Sequence, residues 1–223
     1  MKIKKGDFVE LEYIGRVKGI NIIFDLTDEK LAKENKLYDP KMKYGPIIVC
    51  IGEGQILPGL DSDLIGRETD KKYEIKLNVE RGFGKKDAKL IRIVPVKKFF
   101  DQEINPMPGL QVNFDGMVGM VRAVSGGRVI VDFNHPLAGR ELIYEVNIKR
   151  KIDDLKEKLE NLLYFELGLK DKYEVDIKPE KITIILDKEI PKDVNKKFVK
   201  KVRELIPKIN KLEIVKKQLL KNN

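Results

Sequence analysis

Two tight-turn signals commit the middle of this 223-residue chain to an antiparallel meander. Asp115–Gly116 separates Leu110–Phe114 from Met117–Val124, and Ser125–Gly126–Gly127 separates that run from Arg128–Phe133. Asp-Gly and Gly-Gly pairs supply the positive φ angles that two-residue hairpins demand, and the flanking runs are rich in apolar and β-branched residues. The meander interrupts a sheet already under way. Phe8–Val17 and, after a Lys18–Gly19 turn, Ile20–Asp25 read as strands, as do Ile47–Ile51 and Lys72–Val79. Residues 27–46 are polar and broken by Pro40 and Pro46, which predicts a long loop with at most one helical turn. Pro58 opens a short helix ending at Gly66, with Leu57, Leu60 and Leu64 on one face and Asp61 and Asp63 near its positive end. The first 87 residues thus make most of an antiparallel sheet around one helix, without a closing strand. Leu142–Ile148 (LIYEVNI) has the matching alternation and supplies it from beyond the meander. The small sheet is then an insert, and FNHPLAG (133–139) is where the chain returns.

From Lys151 the pattern turns helical, with Ile152, Leu155, Leu159, Leu162 and Leu163 on one face. Tyr173–Ile177 and Ile182–Leu186 read as a hairpin, Val194, Phe198, Val202 and Leu205 as a second helix, and Leu212–Val215 as a last strand. The expected class is α+β in three domains: 1–87 plus 133–150, an all-β insert at 88–132, and an α-β-β-α-β unit at 151–223. The last leaves sheet edges and a helix face that a second copy could cover, which predicts a homodimer through 151–223.

Residue inventory removes several function classes. The single cysteine, Cys50, lies in the apolar run PIIVCIG and reads as a buried, inert thiol. With one cysteine and one histidine, His135, no His/Cys zinc site can be built, and neither metal nor cofactor is expected. No apolar run approaches the roughly 20 residues of a membrane helix, and the basic start lacks a signal peptide's apolar core, so a cytoplasmic protein is expected. Gly52–Glu53–Gly54 lacks the strand–turn–helix setting and full glycine pattern of a phosphate loop. Net charge is +9, and from Arg150 onward 20 Lys and Arg stand against 14 Asp and Glu. The basic helix carrying Lys196, Lys197, Lys200, Lys201 and Arg203 keeps one alternative open, a non-enzymatic holdase or a ribosome- or RNA-associated module. No stacking aromatic residues interleave with those lysines, so nucleic acid is not an expected partner.

The ordered fragments YIGRV, IIFD, IGEGQILPGLDSDLIG, VERGFG and NHPLAGRELIYEVNI resemble the FKBP-type peptidyl-prolyl cis-trans isomerases. Within them, the chain is most similar to the SlyD-like or archaeal long type, which carries a chaperone domain inserted in the flap. The likeness covers residues 1 to about 150. It implies a rotamase that needs no nucleophile, acting on proline-containing peptides and on unfolded or partly folded proteins. By resemblance, Tyr13, Asp25, Phe83 and Tyr144 match catalytic positions, with Tyr13 and Asp25 hydrogen-bonded to one another. Phe24, Ile56, Leu57, Leu60, His135, Leu137, Ala138 and Leu142 match substrate-binding positions, the Leu57 N–H holding a substrate carbonyl and Leu60 and Tyr144 lying against the proline ring. Taken singly, each apolar member fits a core position and Asp25 an Asx turn; only the ordered set carries the assignment. Leu60 stands where many members carry tryptophan, and Phe83 where many carry tyrosine. Both changes argue against tight macrolide binding while leaving proline turnover intact. In the insert, Ile91, Ile93, Val94, Phe99, Phe100, Met107, Met117 and Met120 are either a client-binding surface or the insert's own core. His135 is expected to bond nearby backbone or border the bound proline, at the join between domains.

Overall fold

The computed structural model describes residues 1–42, 44–179, 181–209 and 211–217. In chain order the elements are β1 (Phe8–Val17), β2 (Ile23–Leu26), α1 (Glu29–Glu34), β3 (Ile47–Cys50), α2 (Pro58–Leu64), β4 (Lys71–Leu77), β5 (Ile91–Pro95), α3 (Val96–Phe100), β6 (Gln111–Phe114), β7 (Met117–Ser125), β8 (Arg128–Asp132), β9 (Leu142–Lys151), α4 (Leu155–Leu167), β10 (Tyr173–Ile177), β11 (Ile182–Leu186), α5 (Lys192–Leu205) and β12 (Leu212–Lys216). The fold is mixed α and β, with three sheets and few helices among the described residues. The first sheet has the order β2-β1-β9-β4, with β3 paired antiparallel to β1 from Phe8↔Cys50 to Leu11↔Ile47. The strand beginning at Leu142 therefore takes the place between β1 and β4.

Two compact units divide the chain: residues 1–14, 26–73 and 145–223 in one, and 15–25 and 74–144 in the other. In the first, α4 and α5 pack on the sheet β10-β11-β12, burying Leu159, Leu162, Ile184, Phe198 and Val202 in a core that also takes in Phe8 and Cys50. Asp154 caps α4 by accepting the Glu157 N–H at 2.8 Å, and Gly168, at φ +67°, ends it. β12 pairs parallel with β11, a pairing that needs the crossover that α5 provides.

In the second unit the sheet β5-β8-β7-β6 encloses Phe99, Val112, Val121, Val129, Val131 and Phe133. Both expected hairpin turns have the required geometry, with φ +52° and +78° at Asp115 and Gly116 and +53° and +76° at Gly126 and Gly127. Where the chain leaves and re-enters this sheet, the strands are laced together. The Asp87 N–H donates to Asn134 Oδ1 at 2.8 Å, the Asn134 amide donates back to the Asp87 carbonyl at 3.0 Å, and the Phe133 N–H donates to the Leu90 carbonyl at 2.9 Å. Buried Asp132 sits beside them. Burial alone would raise its carboxyl, but hydrogen bonds from Lys86, Asn134 and Arg122 outweigh that cost and hold it well below the usual carboxylate range.

Several sequence expectations need correction. β2 begins at Ile23 because Ile20 and Ile22 lie exposed in the turn, where Asn21 has φ +55°. The loop at 27–46 holds a six-residue helix, more than one turn, capped by Asp28 accepting the Leu31 N–H at 2.9 Å. β9 runs on to Lys151, so α4 starts only at Leu155, and Ile152 joins the core from the connection. The insert is four-stranded rather than a three-strand meander. β5 is a largely exposed edge strand ending in proline, and the five residues of α3 are too few to show a period.

Candidate active site

In the second unit three aromatic rings meet. Phe24 from β2 stands edge-on to Tyr144 from β9, with centroids 5.6 Å apart, and edge-on to Phe83 at 6.2 Å. Edge-to-face pairs place the positive rim of one ring on the negative face of another. Gly15 of β1 leaves room for them: a Cβ there would stand 2.9 Å from both Phe24 Cζ and Tyr144 Cε1. Phe83 is presented by the turn after β4, where the Gly84 N–H donates to the Val79 carbonyl at 2.9 Å with Gly84 at φ +75°. The return segment is tied to this turn by the Gly139 N–H donating to the Gly84 carbonyl at 2.7 Å.

His135 stacks on Phe83, centroid to centroid 4.2 Å and nearly parallel at 4°. Its Nδ1 accepts the Leu137 N–H at 3.2 Å, and its carbonyl accepts the Ala138 N–H at 2.9 Å. The expected backbone hydrogen bond is thus present, while the ring stack was not foreseen. Nδ1 as acceptor leaves the proton of the neutral ring on Nε2. Tyr144 is 2% exposed, and burial together with the nearby Asp25 carboxylate pushes its phenol well above the ordinary value, so it stays protonated. Leu142 and Ala138 are buried, Phe24, Asp25, Phe83 and Leu137 half-buried, and His135 exposed.

In the first unit Tyr13 is half-buried, its N–H donating to Thr27 Oγ1 at 3.0 Å. Ile56 and Leu57 are half-buried just ahead of α2, and the Leu57 carbonyl accepts the Asp61 N–H at 2.9 Å. Leu60 is buried inside α2. Cys50 is buried and its thiol is pushed up to about 12, chiefly by burial, which leaves it inert at neutral pH. Among the described residues no group of three His, Cys, Asp or Glu is placed to hold a metal ion, and no helix is long and apolar enough to cross a membrane.

The insert residues separate. Phe99 is 0% exposed and packs edge-on to Phe114 at 4.8 Å, so it is core and not surface. Val94 and Met117 are partly buried against that core. Ile91, Ile93, Phe100, Met107 and Met120 are exposed, Ile93 at 63%. Val118 and Ile130 are exposed too and went unnoticed in the sequence; their strict alternation with inward-facing Val121, Val129 and Val131 was the available signal. Ile93 and Ile130 face each other across β5 and β8.

The model of the FKBP-type peptidyl-prolyl cis-trans isomerases matches residues 1–101, and one described as "FKBP26, IF domain" matches residues 92–137. The chain is 35% identical over 147 residues to a short-type peptidyl-prolyl cis-trans isomerase of Methanocaldococcus jannaschii, covering 66% of this chain and 92% of that relative. The chain belongs to the FKBP-type peptidyl-prolyl cis-trans isomerase family. Two other members match less of it. An FKBP-type isomerase named SlyD from Yersinia pestis is 26% identical over 63% of this chain and 74% of its own length. The FKBP-type 16 kDa isomerase of Escherichia coli strain K12 is 30% identical over 46% of this chain and 72% of its own length. As an FKBP-type isomerase the chain is an enzyme of X–Pro bond rotation, and the second model's match fits an insert in the flap. Both models end by residue 137, so neither reaches α4 to β12.

Proposed function

We propose that proline isomerisation is carried by the aromatic group of Phe24, Phe83, Tyr144 and His135, together with Asp25 and with Tyr13, Ile56, Leu57, Leu60, Leu137, Ala138 and Leu142. The observation that carries this reading is a carboxylate, Asp25, near the buried Tyr144 in a cluster of rings whose Phe24 and Phe83 are half-buried and whose His135 is exposed. Rotation about an X–Pro bond must cross a barrier of about 18–20 kcal/mol, set by lost amide resonance. Resonance puts charge on oxygen and nitrogen, so water favours the planar ground state. Apolar rings that displace water favour the twisted amide, and the Leu57 N–H fixes the substrate through one carbonyl. Tyr144, buried and edge-on to Phe24, serves as the backing that holds that ring in place, while Leu60, Leu142 and Ala138 are too buried to offer much contact area. The protonated Tyr144 hydroxyl puts no second charge beside Asp25. The purified protein is expected to accelerate cis-trans interconversion of a prolyl tetrapeptide, and Asp25→Ala or Phe83→Ala to slow it about tenfold or more. An unchanged interconversion rate with the wild type would end this reading.

The proposed organisation is an isomerase domain at 1–87 plus 133–150, a client-binding insert at 88–132 and a C-terminal domain at 151–223, in a cytoplasmic protein. Ile91, Ile93, Met120, Val118 and Ile130 are exposed apolar side chains on the insert's open sheet face, around the ion cluster of Asp132 with Lys86 and Arg122, and Phe100 and Met107 are exposed elsewhere in the insert. Such a face, apolar with a charged centre, suits extended, unfolded segments of many sequences. Homodimerisation through 151–223 is supported by the unpaired edges of β10 and β12 among the described residues. A monomeric mass in solution at micromolar concentration would refute that part alone.

A further inference from the structure

The loop Gly52–Leu57 leads directly into the substrate-binding pair Ile56 and Leu57, and it is held from two sides. On one side lies α2, where the Asp61 carboxylate accepts the Gly52 N–H at 2.9 Å and the Gly54 N–H at 3.2 Å. On the other side lie two helices from the C-terminal third, beyond the reach of either family model. Asn161 of α4 is 6% exposed, a polar residue among Leu159, Leu162 and Leu163 on the helix's buried face. Its amide donates to the Ile48 carbonyl at 2.6 Å and to Gln55 Oε1 at 3.2 Å, and its Oδ1 accepts from Gln55 Nε2 at 3.1 Å. Gln55 Oε1 also accepts the Cys50 N–H at 2.7 Å, so one amide pair fastens β3, the loop and α4 together. Lys201 of α5 makes an ion pair with Glu53 in the middle of the same loop, with the Glu53 side chain only 13% exposed. That partner raises the Lys201 ammonium above its ordinary value, despite partial burial.

A leucine at 161 would suit its apolar neighbours better, since burying an amide is worthwhile only where every hydrogen bond is met. Each hydrogen bond of the Asn161 side chain goes to residue 48 or 55, and Lys201 reaches residue 53. We infer that Asn161 and Lys201 are positioning residues for the isomerase site, by which the C-terminal helices α4 and α5 fix the Gly52–Leu57 loop and with it the Leu57 N–H that receives the substrate carbonyl. The inference rests on the assignment of Ile56 and Leu57 to that site. Glycines at φ +86° and +67° on either side of Glu53 give this loop many unfolded alternatives, so it gains order from outside clamps. The C-terminal third thereby acts on a reaction whose residues all lie elsewhere in the chain.

The test compares the full-length wild type with Asn161→Leu, Lys201→Glu and the charge-swapped pair Glu53→Lys/Lys201→Glu. The readouts are prolyl-peptide kinetics well below the melting temperature and amide exchange of residues 52–57. A loosened loop weakens ground-state and transition-state binding alike, so both single variants should raise KM about five- to tenfold with kcat within about twofold. Exchange at 52–57 should quicken, and the charge-swapped pair should return KM to within about twofold of wild type. Loss of folded protein would instead lower kcat at constant KM, and that pattern in both single variants overturns the inference. Unchanged KM in folded single variants overturns it as well. A wild type without turnover would sink the isomerase reading and this one together, whereas an active wild type with equally active single variants would sink this one alone.

Discussion

Replacing Phe24 with alanine is expected to lower kcat/KM on a prolyl tetrapeptide about a hundredfold while the protein stays folded. Phe24 is the ring that both other aromatic walls meet, at 5.6 Å for Tyr144 and 6.2 Å for Phe83. Each edge contact is worth about 0.5–1.5 kcal/mol beyond area burial, and truncation also lets water reach the amide at the moment it twists. A loss of about 2.7 kcal/mol in transition-state binding is a hundredfold in rate. Phe24 is half-buried, so the cost in stability should stay near about 1–2 kcal/mol, read as a lowered melting temperature. Gly15→Ala attacks the same rings without removing any. Its Cβ at 2.9 Å from Phe24 and Tyr144 must displace them, and turnover should fall with it. Turnover of Phe24→Ala within about threefold of wild type would remove Phe24 from the site.

Excision of residues 88–132 should separate the two proposed activities. The cut ends lie side by side, because the Asp87 N–H and carbonyl both bond to the Asn134 side chain, so a short glycine joint can span them. None of the proposed isomerase residues is removed, and prolyl-tetrapeptide turnover should stay within about threefold. Acceleration of a proline-limited protein refolding reaction should fall by at least about tenfold. A chain held on the insert keeps its prolines at high effective concentration near the site, and that advantage is commonly about 10²–10⁴. A milder version, Ile93→Ser/Ile130→Ser on the open face, should weaken refolding in the same direction without touching the insert's core. Equal loss of peptide turnover and protein refolding would refute this division.

Much of the architecture could be read from local patterns. The Asp115–Gly116 and Gly126–Gly127 turns, the Pro58 helix start and the alternation of Phe8–Val17 are set by φ preferences and burial period within a few residues. The late strand at Leu142 could be inferred because the earlier strands left a sheet without its partner. Elements that local pattern could not reveal are the short or exposed ones, β5, α1 and α3. Burial was likewise ambiguous: Phe99 and Phe100 are adjacent aromatic residues, one fully buried and one 58% exposed, and only the packing of α3 tells them apart.

The sequence by itself determined the family, the order of strands around the insert, and the residue types available for chemistry. Tertiary structure decided what depends on contacts between distant segments. It stacked His135 flat on Phe83, so that the single histidine became part of an aromatic wall. It turned Asn161, a polar break in an apolar helix face, into the partner of Gln55. It also set β12 parallel to β11, gathered Lys86, Arg122 and Asn134 onto Asp132, and carried α4 and α5 to the loop that holds Leu57. Backbone preference acts over a few residues, whereas ring stacks, buried amides and ion pairs form only once segments far apart in the chain share a core.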